Sequence, residues 1–118
     1  MVEDCGRKGV KVVHLFASGF GEIEDKIGVE LQNEILKTAR KYNIRFIGPN
    51  GLMVANTANG LCLPFVPCFS PPKGGVSIIT QSGLVGQTLF WLLQEEKVGM
   101  AKYASIGNKL DLDETYFL

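Results

Sequence analysis

Residues 76–97, VSIITQSGLVGQTLFWLLQEEK, limit the possible folds more than any other stretch of the chain. An apolar run of strand character stops at Thr80-Gln81-Ser82-Gly83, and a helical pattern begins at once. A strand that passes into a helix without a longer loop aims the N–H groups of the helix's first turn at one point, and that point favours an anion. A plain N-cap role for Ser82, worth about 1 kcal/mol, is the competing reading. The tightness of the junction favours the functional one.

The rest of the chain supplies more units of the same kind. Val10 to Ala17 is a nearly continuous, Val-rich apolar run, which predicts a strand buried on both faces of a parallel sheet. It breaks at Ser18-Gly19-Phe20-Gly21-Glu22. From about Gly28 to Tyr42, Leu31, Ile35, Leu36, Ala39 and Tyr42 recur at helical spacing, with Lys37, Arg40 and Lys41 toward the C-terminal end. Ile44 to Ile47 predicts a short strand, and Gly48-Pro49-Asn50-Gly51 a turn.

Leu52 to Lys73 has no helical period and is interrupted by Pro64, Pro67, Pro71 and Pro72, so it is expected to be an ordered connection containing short strands at most. It ends in Pro71-Pro72-Lys73-Gly74-Gly75, a stiff stretch suited to separating two units. After residues 76–97, Gly99 is expected to cap the helix, Met100 to Ile106 to form a strand and Gly107-Asn108 a turn. Asp111 to Glu114 places acids where a new helix would start. Met1 to Gly9 resembles the tail of a helix and its loop. Strands alternating with helices, with glycine-rich turns at the strand ends, predict an α/β fold built from parallel-sheet, three-layer units. In such sheets ligands bind at the carboxyl ends of the strands.

Twelve basic and twelve acidic side chains cancel, so charge calls for neither nucleic acid nor an anionic membrane as partner. No apolar run reaches the roughly twenty residues of a membrane span, and MVEDCGRKG lacks the pattern of a signal peptide. A cytoplasmic location is the expectation. Cys5, Cys62 and Cys68 match no common zinc spacing and are expected to be free thiols. His14 lies in an apolar strand, where a hydrogen-bonded structural histidine is expected rather than a nucleophile. Glu22, Glu24, Asp25 and Lys26 are expected to be solvated surface, with no metal site. Leu89 to Leu93 is apolar around too much of the helix for one face in water, and core packing is expected to take up most of it.

Four motifs in series, ASGFGE at Ala17 to Glu22, IGPNG at Ile47 to Gly51, GGVSIITQSG at Gly74 to Gly83 and SIGNKLDLD at Ser105 to Asp113, resemble the nucleoside-diphosphate-forming acyl-CoA synthetases. That superfamily includes the succinyl-CoA synthetase α subunit and ADP-forming acetyl-CoA synthetase, and the resemblance covers nearly the whole chain. It implies that residues 1–71 are the later part of a Rossmann-like CoA-binding domain and residues 72–118 the first part of a flavodoxin-like ligase domain. It also implies interconversion of acyl-CoA, phosphate and NDP with acid, CoA and NTP through a phosphohistidine lying outside this chain.

By the same resemblance, Ser18, Gly19 and Phe20 line the CoA cleft, and Gly48, Pro49 and Asn50 lie near the reactive end of CoA. Gln81, Ser82 and Gly83 face the phosphoryl group, and Gly107 and Asn108 line the same phosphate site. An ordinary strand-to-helix turn is the competing reading for each. The family often has a Cys where this chain has Gly51. Coenzyme A and phosphate are the implied ligands, with nucleotide and Mg only in the complete enzyme. A β-type ATP-grasp subunit or domain is the implied partner, with a homo-oligomer left open. The chain alone is expected to be inactive. A non-catalytic CoA- or anion-binding interaction module of the same fold is the alternative.

Overall fold

The computed structural model describes residues 1–67 and 71–118, and Cys68 lies outside them. The fold is α/β, as the alternation of strand and helix patterns predicts. Helix α1 spans Val2–Arg7, strand β1 Val12–His14, a 3-10 turn Gly21–Ile23, helix α2 Lys26–Lys41 and strand β2 Arg45–Ile47. Strands β3 (Met53–Asn56), β4 (Leu61–Pro64) and β5 (Lys73–Thr80) follow, then α3 (Gly83–Glu95), β6 (Met100–Ser105) and α4 (Glu114–Phe117).

β1 and β2 pair in parallel, and the other strands form a sheet in the order β4-β3-β6-β5. Within it β5 and β6 are parallel, the pair expected on either side of a helix. The connection before β5 proves to contain a hairpin, β3–β4, and β3 runs antiparallel to β6. The prolines did not prevent this, because Pro64 closes β4 at the sheet edge, where a missing N–H costs no ladder bond.

Three expectations need correction. The first strand is shorter than Val10 to Ala17 and is not covered on both faces: Val13 and Leu15 join the core with Val2, Ala39, Ile44 and Phe46, whereas Val12 is 54% exposed. On the side away from the helices the sheet is covered at its His14 and Ile47 end and open at Val12. Secondly, Lys73 to Gly75 is not a loop but the start of β5, running past Met100 with shifts in register. A Cβ on Gly74 would lie 2.2 Å from the Gly99 carbonyl, so the two glycines admit each other's backbone.

Thirdly, that close approach is the role of Gly99, not capping. α3 ends with Lys97 at φ 55°, its N–H on the Gln94 carbonyl and the Val98 N–H on that of Leu93. This is a Schellman motif. The same pattern ends α1 at Gly9 and α2 at Asn43, followed by Val10 and Ile44. Each helix therefore turns sharply back toward the next strand.

The core has three adjoining parts: the α1/α2 cluster around Phe46, a cluster of Met53, Ala55, Phe90, Met100 and Tyr103, and one of Ile47, Ala104, Ile106 and Leu112. The last joins β2 to β6 and so locks the two sheets together. Of the apolar run on α3 only Phe90 is fully buried; Leu89, Trp91 and Leu92 are 42–50% exposed, so core packing takes up less of this surface than expected. The helix meets its sheet through the narrow stripe Gly86, Gln87 and Phe90. No helix among the described residues is long and apolar enough to cross a membrane.

Candidate functional site

The turns that follow β1, β2, β6 and β5 are bonded to one another in series. Gly19, at φ +93°, opens the first of them, and the carbonyl of neighbouring Ala17 accepts the Asn50 N–H at 2.9 Å. Gly28 lets α2 approach this turn, since a Cβ there would sit 2.4 Å from the Phe20 carbonyl oxygen. Gly48 (φ +98°) and Asn50 (φ +60°) shape the second turn as their residue types predict.

The third turn is bound to the second. Asn108 donates its N–H to the Pro49 carbonyl at 2.8 Å, and Leu110 donates to that of Gly48 at 3.0 Å. Gly107 (φ +55°) packs so closely that a Cβ would lie 2.0 Å from the Pro49 oxygen. The turn after β5 joins the series through the turn after β6: Ile106 N–H meets the Thr80 carbonyl at 2.9 Å, and Gln81 Nε2 donates to the Gly107 carbonyl at 3.3 Å. Ser82 caps α3 by accepting the Val85 N–H at 3.4 Å, and Thr80 Oγ1 steadies the junction on the Ser82 carbonyl at 2.9 Å. The N–H groups of Gly83 and Leu84 have no helical carbonyl to meet.

All four sequence-predicted groups are thus brought together, although not equally accessible. Ser18, Gly19 and Gln81 are exposed, Phe20, Asn50, Ser82, Gly83 and Asn108 partly so, and Gly48, Pro49 and Gly107 are buried. The buried three act as the frame. The groups able to touch a ligand are the Ser18 and Ser82 hydroxyls, the Asn50, Gln81 and Asn108 amides, and the start of α3. These are neutral hydrogen-bonding groups around a helix N-terminus, a set suited to phosphate and carbonyl oxygens.

Two acids near these turns have roles other than those expected from sequence. Glu22 is exposed, but not merely solvated: its Oε1 accepts the Gly19 N–H at 2.5 Å, and its Oε2 accepts the Phe20 N–H at 3.1 Å and the Asn108 side-chain amide. Burial pushes its carboxyl up, but the bonds from Asn108 and Gly19 outweigh this and hold it below the usual range. With those donors around it, Glu22 is engaged with N–H groups rather than with a cation. The signal was local, since an acidic side chain two or three residues after a glycine can reach back to backbone N–H groups. Gln32 adds to this, accepting from the Gly21 N–H at 3.2 Å.

Asp111 is the second. It does not serve the start of α4, where Asp113 is the N-cap, accepting the Thr115 N–H at 3.0 Å. Asp111 instead accepts from Arg45 Nε at 2.8 Å and from the Phe46 N–H at 2.9 Å, tying the loop after β6 to β2. Burial raises its pKa, and the Arg45 and Phe46 bonds lower it further than that.

His14 packs edge-on against Phe16 with ring centroids 4.6 Å apart, and both ring nitrogens are buried without a hydrogen-bond partner. The expectation of a hydrogen-bonded histidine is therefore corrected. Burial pulls its pKa down to about 4; the nearby Ser105 backbone opposes the shift without reaching bonding geometry. A Cβ on Gly51 would lie 2.7 Å from His14 Nε2 and 2.5 Å from the Ser105 carbonyl oxygen, so the space for a side chain at position 51 is already occupied. Cys5 and Cys62 are free thiols. A cavity of 570 Å³ lined by Val54, Asn56, Ile79, Lys102, Ala104 and Phe117 lies on the sheet face opposite α3, away from the turns.

Parallel strand pairs whose carboxyl-end turns converge beside a helix N-terminus define the α/β class, in which ligands bind at the strand ends; the three-layer arrangement expected from sequence is not complete, since α3 covers only one face of its sheet. Comparison with known proteins narrows that class. Residues 73–118 match the succinyl-CoA ligase like flavodoxin domain. The chain is 44% identical over its whole length to an ADP-forming acetate–CoA ligase of Methanocaldococcus jannaschii, covering 17% of that protein. It is 40% identical, again over its whole length, to the α subunit of ADP-forming acetate–CoA ligase I of Pyrococcus furiosus, covering 25% of it. The structure superimposes with a TM-score of 0.89 on an acetyl-coenzyme A synthetase 1 of Ca. Korarchaeum cryptofilum solved with phosphate and ADP, at 34% identity over 98% of this chain and 24% of that one. The chain is thus a homologue of ADP-forming acetate–CoA ligases, with a succinyl-CoA ligase like flavodoxin domain match over residues 73–118, and it spans a quarter or less of these relatives' length.

Proposed function

We propose that this chain supplies part of the CoA and phosphate site of an ADP-forming acyl-CoA synthetase, which interconverts acyl-CoA, phosphate and NDP with acid, CoA and NTP. The carrying observation is the hydrogen-bonded series of four turns, which joins the expected CoA residues to the expected phosphate residues. On this reading residues 1–71 contribute to a CoA-binding unit and 72–118 to a flavodoxin-like unit, with the β3–β4 hairpin reaching across to pair with β6.

Ser18, Gly19 and Phe20 contact CoA, and Asn50 faces its thiol end from the frame made by Gly48 and Pro49. Gln81, Ser82, Gly83 and Asn108, set by Gly107, receive the phosphoryl group. The α3 N–H groups and the Ser82 hydroxyl would stabilise its charge without reorganising. His14, the single histidine of the chain, has buried nitrogens and is held neutral, so the phosphohistidine of the reaction is supplied by other residues. Nucleotide and Mg belong to the complete enzyme. The exposed Leu84, Val85, Trp91 and Leu92 on α3 fit contact with a further domain or a β-type ATP-grasp partner, and a cytoplasmic location is part of the same proposal.

Calorimetry with CoA and with inorganic phosphate tests the reading. Binding of CoA, and phosphate binding that Ser82→Ala abolishes, is the expected result. Binding of neither, with a defined oligomer in solution, would favour the non-catalytic interaction module.

A further inference from the structure

The proposed reaction gives Glu22 no task, yet its carboxylate bonds the turn after β1 to the turn after β6. Its two carboxylate oxygens take the N–H groups of Gly19 and Phe20 on one side and the Asn108 side-chain amide on the other. Asn108 is in turn fixed by its backbone bond to Pro49 at 2.8 Å, and its neighbour Gly107 holds Gln81 at 3.3 Å. Gln32 runs alongside as a weaker second path, its Oε1 shared by the Gly21 N–H at 3.2 Å and Asn108 Nδ2 at 3.4 Å.

Hydrogen bonds to an ionised carboxylate are about twice as strong as neutral ones, so the Glu22 path is the stiffer of the two. Phe20 packs against the core cluster around Phe46, but Gly19 is exposed and Asn108 half-buried, and neither belongs to a core cluster. Such segments owe their order to specific bonds. A turn already ordered by one ligand costs a second ligand less conformational entropy, which gives positive cooperativity without any further structural change.

We infer that Glu22 is a positioning residue that couples the order of the Ser18–Phe20 turn to that of the Gly107–Asn108 turn, so that a ligand ordering one strengthens binding at the other. The ligand-dependent half rests on the CoA and phosphate roles proposed above; the link itself does not.

Two measurements on the full chain separate these halves. The first is NMR without ligand. Glu22→Gln keeps the side chain's shape and removes its charge; it should move the Asn108 side-chain amide signals, and Asn108→Ala should move the Gly19 and Phe20 amides. The Leu15 amide, bonded to the Ile47 carbonyl at 2.9 Å, should stay in place. Asn108 signals indifferent to Glu22→Gln would overturn the link.

The second is CoA affinity with and without inorganic phosphate. Phosphate should tighten CoA binding about fivefold or more in the unmodified chain, a typical coupling between sites, and that ratio should fall to near one in Glu22→Gln. A merely structural Glu22 would lower the melting temperature and leave the ratio intact, which overturns the coupling. A chain that binds neither ligand overturns the ligand-dependent half together with the turn assignment, while the NMR result still judges the link alone.

Discussion

Asn108 donates its backbone N–H to the Pro49 carbonyl oxygen at 2.8 Å, and this bond joins the turn after β6 to the turn after β2. It belongs to neither sheet's ladder. It sets how closely the strand ends of the two sheets approach, and with them the groups proposed to hold CoA and phosphate.

Gly107 makes that approach possible. A Cβ at this position would meet the Pro49 oxygen at 2.0 Å on a backbone already at φ +55°. Gly107→Ala should therefore cost about 1–3 kcal/mol, through strain and a displaced turn. Urea denaturation of the two proteins measures this; equal midpoints would contradict the close packing of the turns.

Gly51 and His14 compete for one space. Gly51→Cys should destabilise the chain by about 1–3 kcal/mol, the usual cost of overpacking, and combining it with His14→Ala should recover part of the loss. The Ser105 carbonyl, 2.5 Å from the same Cβ, sets the part that is not recovered. A double-mutant cycle that shows strict additivity would mean that His14 is not the obstacle.

The same histidine gives the chain an acid-sensitive slope. Its folded pKa, pulled down to about 4 by burial, lies below the ordinary 6.5, so the unfolded chain binds the proton first. The stability contributed by neutral His14 is complete above pH 6.5 and is lost as pH falls from there toward 4. Glu22 and Asp111, held below the usual carboxylate range, lose their contribution only at lower pH still. His14→Asn should flatten the slope between pH 6.5 and 4.5 in denaturation curves; an unchanged slope would contradict a buried, unpartnered ring.

Asp111 holds two donors, and Arg45 only one acceptor of this kind. Asp111→Ala strands the Phe46 N–H as well as breaking the ion pair, so it should lower the melting temperature more than Arg45→Met does. Equal losses would mean that the Phe46 bond contributes little. The Arg45→Met difference should shrink with added salt, since the Arg45 side chain is 41% exposed.

The parts of this fold written in local chemistry were legible in the sequence. Ser82 before an apolar helix, Gly48 and Asn50 in a turn, and Asp113 ahead of Glu114 each act through their own backbone, and the structure has them as expected. Long-range pairing was not legible. Nothing near Met53 to Asn56 shows that β3 runs antiparallel to β6, because short apolar segments fit many partners until tertiary packing selects one. Gly99 resembles a cap in sequence, and only the approach of Gly74 reveals its use. The linkage of the turns was half visible: their glycines and asparagines marked them, but that Glu22 and Gln81 bond them together depends on distances no single sequence expresses.

Amide chemical-shift mapping during titration with CoA, then with inorganic phosphate, tests most directly whether these turns form one site. The expected result is that CoA moves the signals of Ser18 to Phe20 and of Asn50, and that phosphate moves those of Gln81 to Leu84 and of Asn108. Shifts confined to the sheet face around Lys102 and Phe117, or to the exposed side of α3, would contradict it.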